Sequence, residues 1–219
     1  MFEGFSVLHD DENVLIVNKN CGFAVIPGRG ISDDIVIVKL IEKQLGIHCF
    51  VVHRIDLETS GIVLFAKNPR AHRYFSMQFE NRVVEKSYLA LVQGTVNENL
   101  TVDSPIRQFG SGRMGVDLSG KQSLTGIKII EKLTNATLID VHPKTGRRHQ
   151  IRVHCYSIGH PIIGDPLYGK ERPVGGAKRL MLHAYTLRVR EIDSGKERTF
   201  TSVPDGQWCE MVEKYRMGL

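Results

Sequence analysis

The chain has 219 residues, 42% of them apolar, enough for one large domain or two small ones with a sizeable core. No apolar run approaches the roughly 18 uncharged residues of a membrane-spanning helix. The opening MFEGFSVLHDDENV is acidic where a secretion signal needs a basic start, so neither a membrane nor a secreted class is expected. Twenty-nine Lys and Arg against 24 Asp and Glu leave a net charge of +5, which suits an anionic partner such as nucleic acid.

In chain order, NVLIVNK (13–19) reads as a strand that stops at the turn-prone Asn20-Cys21-Gly22. After a stretch rich in glycine and proline (22–30), Ile35, Val38, Ile41 and Leu45 recur at helical spacing, with Ser32 or Asp33 as cap and Gly46 past the end. Two β-rich runs, CFVVHRI and GIVLFAK, flank the polar DLETS, which places residues 56–60 in a loop between strands. Asn68 and Pro69 open a helix whose Ala71, Tyr74, Phe75, Gln78 and Phe79 share a face, and KSYLALVQG follows as a strand.

Residues 97–126 are glycine-rich and read as loops and short strands, after which IKIIEKL and TLIDVHP form a hairpin about Thr134-Asn135-Ala136. RRHQIRVHCYSI reads as a short basic helix ending at Gly159, LMLHAYTLRVREI and RTFTSVP as late strands, and QWCEMVEKYRM as a surface helix. No repeat, low-complexity tract or linker interrupts the chain, so a single domain over 1–219 is expected, in two lobes at most. The four cysteines, Cys21, Cys49, Cys155 and Cys209, form no CxxC pair and read as reduced, cytosolic thiols.

Two stretches carry candidate chemistry. In His53-Arg54-Ile55-Asp56-Leu57-Glu58-Thr59-Ser60-Gly61 an aspartate ends an apolar strand beside an arginine, whose guanidinium favours the charged carboxylate that a nucleophile or base must be. The plainer reading of Asp56 is a turn former before Thr-Ser-Gly. The second stretch, Arg147, Arg148, His149, Arg152 and His154, sets Arg148 and Arg152 one helical turn apart, an arrangement that holds a carboxylate or phosphate. A solvated basic face is the plainer alternative there. His149 and His154 are five apart and share a face of neither helix nor strand, so no metal site is expected.

HRIDLETSG is similar to the HRLDxxTSG motif of the RluA family of pseudouridine synthases, with Ile55 for the usual leucine. TGRRHQIRVH resembles that family's TGRxHQIRxH, EKSYLALV its K-x-Y-x-A-x-V strand, GHPIIGDPLYG its GHPIxGDxxYG, and LMLHAYTL its LLLHAxxL. The motifs stand in the family's order between Lys19 and Ala184. The family's NKPxGL is Asn18-Lys19-Asn20-Cys21-Gly22-Phe23 here, and Gln122-Ser123 stands where an alanine is usual.

The resemblance implies an α+β pseudouridine synthase fold, with a mixed, mostly antiparallel sheet in two lobes, flanking helices and a central basic cleft. It further implies a catalytic domain without a separate N-terminal RNA-binding domain, acting as a monomer on a stem-loop of ribosomal or transfer RNA. By matching motif positions, Asp56 is the carboxylate at the ribose, Arg152 its partner, and Tyr88 the ring stacked on the target base. Arg54 fills the stack left by the flipped uridine, and His53, Arg147, Arg148 and His149 are RNA contacts. Leu182 and His183 wall the pocket or pack the core. Gly164, Asp165, Tyr168 and Gly169 shape a turn, and Glu58 is solvated. No cofactor and no metal are expected. The rival readings are an inactive RNA-binding protein of the same fold, and a phosphate-handling hydrolase, for which the sequence offers no P-loop.

Overall fold

The structure, a computed structural model, describes residues 2–110, 112–169 and 177–218. Strands β1 (Phe5–Asp10) and β2 (Val14–Lys19) are followed by helix α1 (Ile37–Leu45), which Gly46 ends in the left-handed conformation at φ 67°. A 3-10 turn, Asp33–Ile35, precedes α1, so the helix expected from Asp33 begins four residues later. Next come β3 (Phe50–Val51), β4 (Ser60–Ala66) and α2 (Pro69–Glu80). The start of α2 is the one expected: Asn68 accepts the Ala71 N–H at 2.8 Å and Pro69 occupies the first position, where no N–H is needed.

Then follow β5 (Glu85–Gln93), β6 (Leu100–Asp103), β7 (Ile106–Gln108), β8 (Met114–Val116), β9 (Leu124–Leu133) and β10 (Ala136–Pro143). Asn135, at φ 55°, makes the tight turn of the β9–β10 hairpin. The last elements are α3 (Gln150–Ser157), β11 (Leu182–Arg190), β12 (Glu197–Thr201) and α4 (Gly206–Met217). Helices and strands therefore mix as an α+β fold, and the pairings of β1–β2, β2–β4, β3–β4, β5–β10, β10–β9, β9–β6 and β11–β12 are all antiparallel.

The chain divides into two compact units, residues 1–86 with 184–203, and residues 87–183 with 204–219. In the first, the order is β1-β2-β4-β11, with β3 on β4 and β12 on β11. All seven residues of β4 are buried, as a central strand requires. Val14, Ile16, Ile62 and Leu64 pack with Ala71 and Phe75 of α2, while Leu15, Val17, Val63 and Phe65 alternate to the opposite face and are buried too. Gly61, at φ 113°, lets β11 approach: a Cβ there would lie 2.2 Å from the Ala184 carbonyl oxygen.

In the second unit the order is β5-β10-β9-β6, and β7 and β8 form a separate two-stranded ribbon. Ala90, Val92, Ile139 and Val141 join Ile151 and Cys155 of α3 in the core. The C-terminal helix is more than a surface element, because Trp208, Val212 and Tyr215, at i, i+4 and i+7, enter the same core.

Candidate active site

In the first unit the HRIDLETSG stretch leaves the sheet earlier than its β-rich sequence predicts. Strand β3 pairs only Phe50 and Val51 with Ala66 and Phe65. Two residues on, the His53 side chain takes over from the backbone: its Nε2 accepts the Leu64 N–H at 2.9 Å, so the β4 donor is satisfied without a strand partner. The His53 ring stacks on Phe79 at 4.4 Å, and burial together with the nearby Lys86 ammonium pushes its pKa down to about 3. The Lys86 Nζ lies 6.0 Å above the Phe79 ring, and burial lowers its own pKa. His53 is thus a neutral acceptor tied to β4.

Arg54 is exposed, Ile55 is buried as an anchor, and Asp56 is half-buried. The Asp56 carbonyl accepts the Thr59 N–H at 3.1 Å, so the turn expected of this residue is formed by its backbone. The next carbonyl, Leu57, accepts from the Gly22 N–H at 3.0 Å and from Lys19 Nζ at 3.1 Å. Cys21 Sγ donates to the Glu58 carbonyl at 3.0 Å, and Glu58 is half-buried where a solvated residue was expected.

Lys19 is fully buried, and its ammonium also donates to the carbonyls of Asn20 (2.9 Å) and Phe23 (2.6 Å). It therefore clamps the Asn20–Phe23 turn to the loop that carries Asp56. Three carbonyl dipoles converging on one ammonium offset part of the cost of burying a charge. A lysine ending an otherwise apolar strand was the available signal for this role.

In the second unit Tyr88 is half-buried on β5, opposite Val141 of β10. Helix α3 begins at Gln150 because His149 adopts φ 54°, in the left-handed region. Arg148 consequently precedes the helix and is not one helical turn from Arg152, contrary to the spacing argument. The segment before the helix is locked by Gln150, whose Oε1 accepts the Arg147 N–H (3.0 Å) and the Thr145 hydroxyl (2.6 Å), and whose Nε2 donates to the Leu124 carbonyl (3.1 Å).

Arg152 is fully buried and held bidentately: Nε donates to Asp165 Oδ2 at 2.8 Å and Nη2 to Oδ1 at 2.9 Å. Asp165 Oδ1 also accepts the backbone N–H groups of Leu167 and Tyr168. It shapes the expected turn and at the same time fixes the arginine, a role that sequence reasoning missed. His149 is buried with Nδ1 2.9 Å from the Tyr168 hydroxyl. Arg147 has a buried Nε without a hydrogen-bond partner among the described residues, whereas Arg148 is exposed and reaches the Gly112 carbonyl at 3.4 Å. Leu182 and His183 are buried, Leu182 within the core of this unit. His154 is fully buried between the Thr125 hydroxyl (2.8 Å) and the Ser104 carbonyl (3.0 Å), and burial lowers its pKa.

Among the described residues no group of three or more His, Cys, Asp or Glu side chains is placed to hold a metal ion, and no helix is long and apolar enough to cross a membrane. The arrangement offers a half-buried carboxylate on a braced loop, a fully buried guanidinium and an aromatic ring on a strand, with exposed arginines beside them in sequence.

Residues 13–157 match the family model described as RNA pseudouridylate synthase. The chain is 35% identical over 203 residues to the ribosomal large subunit pseudouridine synthase D of Nitrosomonas europaea, covering 87% of this chain and 59% of that protein. It is 36% identical over 186 residues to the dual-specificity RNA pseudouridine synthase RluA of Vibrio cholerae, covering 83% of this chain and 75% of that one. It thus spans about three fifths to three quarters of the length of these two relatives. The solved structure of human RNA pseudouridylate synthase domain containing 1 superposes with a TM-score of 0.78 at 30% identity, over 94% of this chain and 85% of that one. On the motifs, the fold and these relatives, the chain belongs to the RNA pseudouridylate synthase family, in its RluA branch.

Proposed function

We propose that the chain isomerises uridine to pseudouridine at specific positions in structured RNA. The observation that carries this reading is the Asp56 loop, a half-buried carboxylate whose neighbouring backbone is fixed by Lys19, Gly22 and Cys21. In the reaction the N1–C1′ bond of the uridine breaks, the uracil turns, and C5 bonds to C1′. C5 then loses its proton and N1, freed from C1′, takes one up, so atoms balance with no second substrate.

Asp56 either attacks C1′ or removes the 2′ proton, and charge building on the ribose resembles that in glycoside cleavage. Because the detached uracil is itself the second reactant, the site has to exclude water. Arg152 is the cationic partner of Asp56, Tyr88 stacks on the base and Arg54 occupies the vacated stack, roles carried over from matching motif positions. Arg148, open to solvent, and Arg147 bind phosphates, with the neighbouring histidines shaping the loops that hold them. No metal or nucleotide cofactor enters this scheme.

Ribosomal RNA is the substrate favoured by the names of the relatives, with transfer RNA second because one of them is dual-specific. The same reading has the protein acting as a monomer in the cytoplasm, in keeping with four free cysteines.

The test is Asp56→Asn, assayed by tritium release from C5-labelled uridine in a large-subunit ribosomal RNA transcript. Turnover should fall by at least about a thousandfold with thermal stability and RNA affinity unchanged. Activity within about tenfold of the parent protein would overturn the assignment.

A further inference from the structure

Tyr168, expected from the sequence only to shape a turn, touches two arginines, a histidine and the β8 backbone of the second unit. It is 1% exposed. One face of its ring lies 5.4 Å from the Arg152 guanidinium carbon, and Arg113, beside the β7–β8 ribbon, approaches the ring at 5.1 Å. Its hydroxyl accepts the Met114 N–H of β8 at 3.2 Å and bonds His149 Nδ1 at 2.9 Å. Burial raises its pKa, so the phenol keeps its proton. Its own N–H is held by Asp165 Oδ1, the oxygen that also binds Arg152 Nη2. The ring and the carboxylate that fix Arg152 therefore belong to one turn, and that turn is bonded directly to the ribbon.

The ribbon has the surface of an RNA-gripping element. Phe109 at the end of β7 is 38% exposed with the Arg107 guanidinium 4.6 Å from its ring, a stacked pair of the kind that receives an unpaired base. Arg113 and Arg148 are both exposed next to it, and Arg148 reaches the Gly112 carbonyl. A displacement of β8 moves the Met114 N–H, which leads to the Tyr168 hydroxyl and so to the ring bounding Arg152. Packed side chains at this density shift as a body rather than absorb the movement.

We infer that Tyr168 is a positioning residue that couples the grip of the β7–β8 ribbon on RNA to the orientation of the Arg152 guanidinium. The inference rests on the proposed function for the identity of the ligand and deepens it. RNA seated on Phe109 and Arg113 fixes the ribbon, the ribbon fixes the Tyr168 hydroxyl, and the orientation of Arg152, already set by Asp165, is adjusted through the Tyr168 ring when RNA is engaged.

Tyr168→Phe tests this, because it keeps the ring that both arginines approach and removes only the hydroxyl. With the labelled ribosomal RNA transcript, single-turnover conversion at saturating enzyme should slow by about tenfold or more, while RNA affinity and melting temperature stay close to those of the parent. A merely structural role predicts a lower melting temperature and weaker affinity with the saturated rate unchanged, and that pattern would overturn the proposal, as would a variant indistinguishable from the parent. A second readout needs no turnover: in nitrogen-15 spectra the Arg152 Nε–H, protected from solvent exchange by burial and its bond to Asp165, should shift when a short stem-loop RNA is added to the parent protein and not when it is added to Tyr168→Phe. A shift of equal size in both proteins, or in neither, would also overturn it. If the parent shows the RNA-dependent shift and the variant does not, yet the parent makes no pseudouridine, the coupling stands and the proposed function fails.

Discussion

The two units hold their key charged side chains by opposite means. In the first, Asp56 sits half-exposed on a loop, and what is fixed around it is backbone: the carbonyls of Leu57 and Phe23 are gathered by the buried Lys19, and the Asp56 carbonyl closes its own turn. In the second, Arg152 is out of reach of solvent, and its side chain is fixed by another charged side chain, Asp165, on two hydrogen bonds. What the first unit fixes around Asp56 is the backbone of its half-exposed loop, whereas in the second unit the guanidinium itself is desolvated and bonded to Asp165. The second arrangement ties the charge to the stability of its unit, and the first ties the shape of the loop to Lys19.

The largest expected effect follows from that contrast. Asp165→Leu removes a bidentate carboxylate partner from a fully buried guanidinium, and breaking a buried ion pair from one side costs about 3–5 kcal/mol. Chemical denaturation should show that loss, and turnover should disappear with it. Asp56→Asn should abolish turnover and leave the denaturation midpoint where it was. If both substitutions destabilise equally, Asp56 is as structural as Asp165 and the comparison fails.

Lys19→Met comes next, since it keeps the length and apolar character of the stem and deletes the ammonium that three carbonyls share. Stability should fall by about 2 kcal/mol, the scale of leaving buried acceptors without their charged donor. Because those acceptors brace the loop of Asp56, the turnover number should fall about tenfold while RNA affinity holds. Loss of stability with an unchanged turnover number would show that the loop keeps its shape without the clamp.

Much of this was legible in the sequence. The α2 start was visible because Asn68 and Pro69 are local signals that need no tertiary partner, and the β9–β10 hairpin because both its strands and its turn lie in one short stretch. The motifs brought out Asp56, Tyr88 and Arg152 as the residues to ask about. What stayed hidden depends on partners distant in the chain. CFVVHRI has the composition of a seven-residue strand, yet it pairs over two residues because the His53 ring, 11 positions before Leu64, serves the donor that a longer strand would have used. Asp165 carries an ordinary turn signature, and nothing local says that its oxygens also face an arginine 13 residues earlier. The helix expected to include Arg148 starts later because His149 takes a left-handed conformation, which histidine adopts rarely enough that no propensity argument anticipates it.

The smallest effect at neutral pH, and the finest test of the contrast between the units, lies with two histidines kept neutral in different ways. His53 in the first unit accepts the Leu64 N–H and has its pKa lowered to about 3. His154 in the second lies between the Thr125 hydroxyl and the Ser104 carbonyl, and its pKa is lowered by burial, though that carbonyl bond opposes the shift. In the unfolded chain both titrate near 6.5. As pH falls below that value the unfolded state takes up protons that the folded state refuses, so stability is complete above about 6.5 and is lost progressively on acidification. For His53 the loss is about 1.4 kcal/mol per pH unit and continues toward pH 3. The lowered pKa values of Asp11, Asp117, Glu131 and Glu191 contribute only nearer the ordinary carboxylate range. The interval from about 5 to 6.5 therefore isolates the histidines. His53→Gln, whose amide oxygen still accepts from Leu64, should match the parent within about 1 kcal/mol at pH 7.5 and show a shallower decline across that interval in urea denaturation. The parent and variant curves running parallel from pH 7.5 to 5 would mean that His53 protonates in the folded protein, and that the loop before Asp56 is not held by a neutral imidazole.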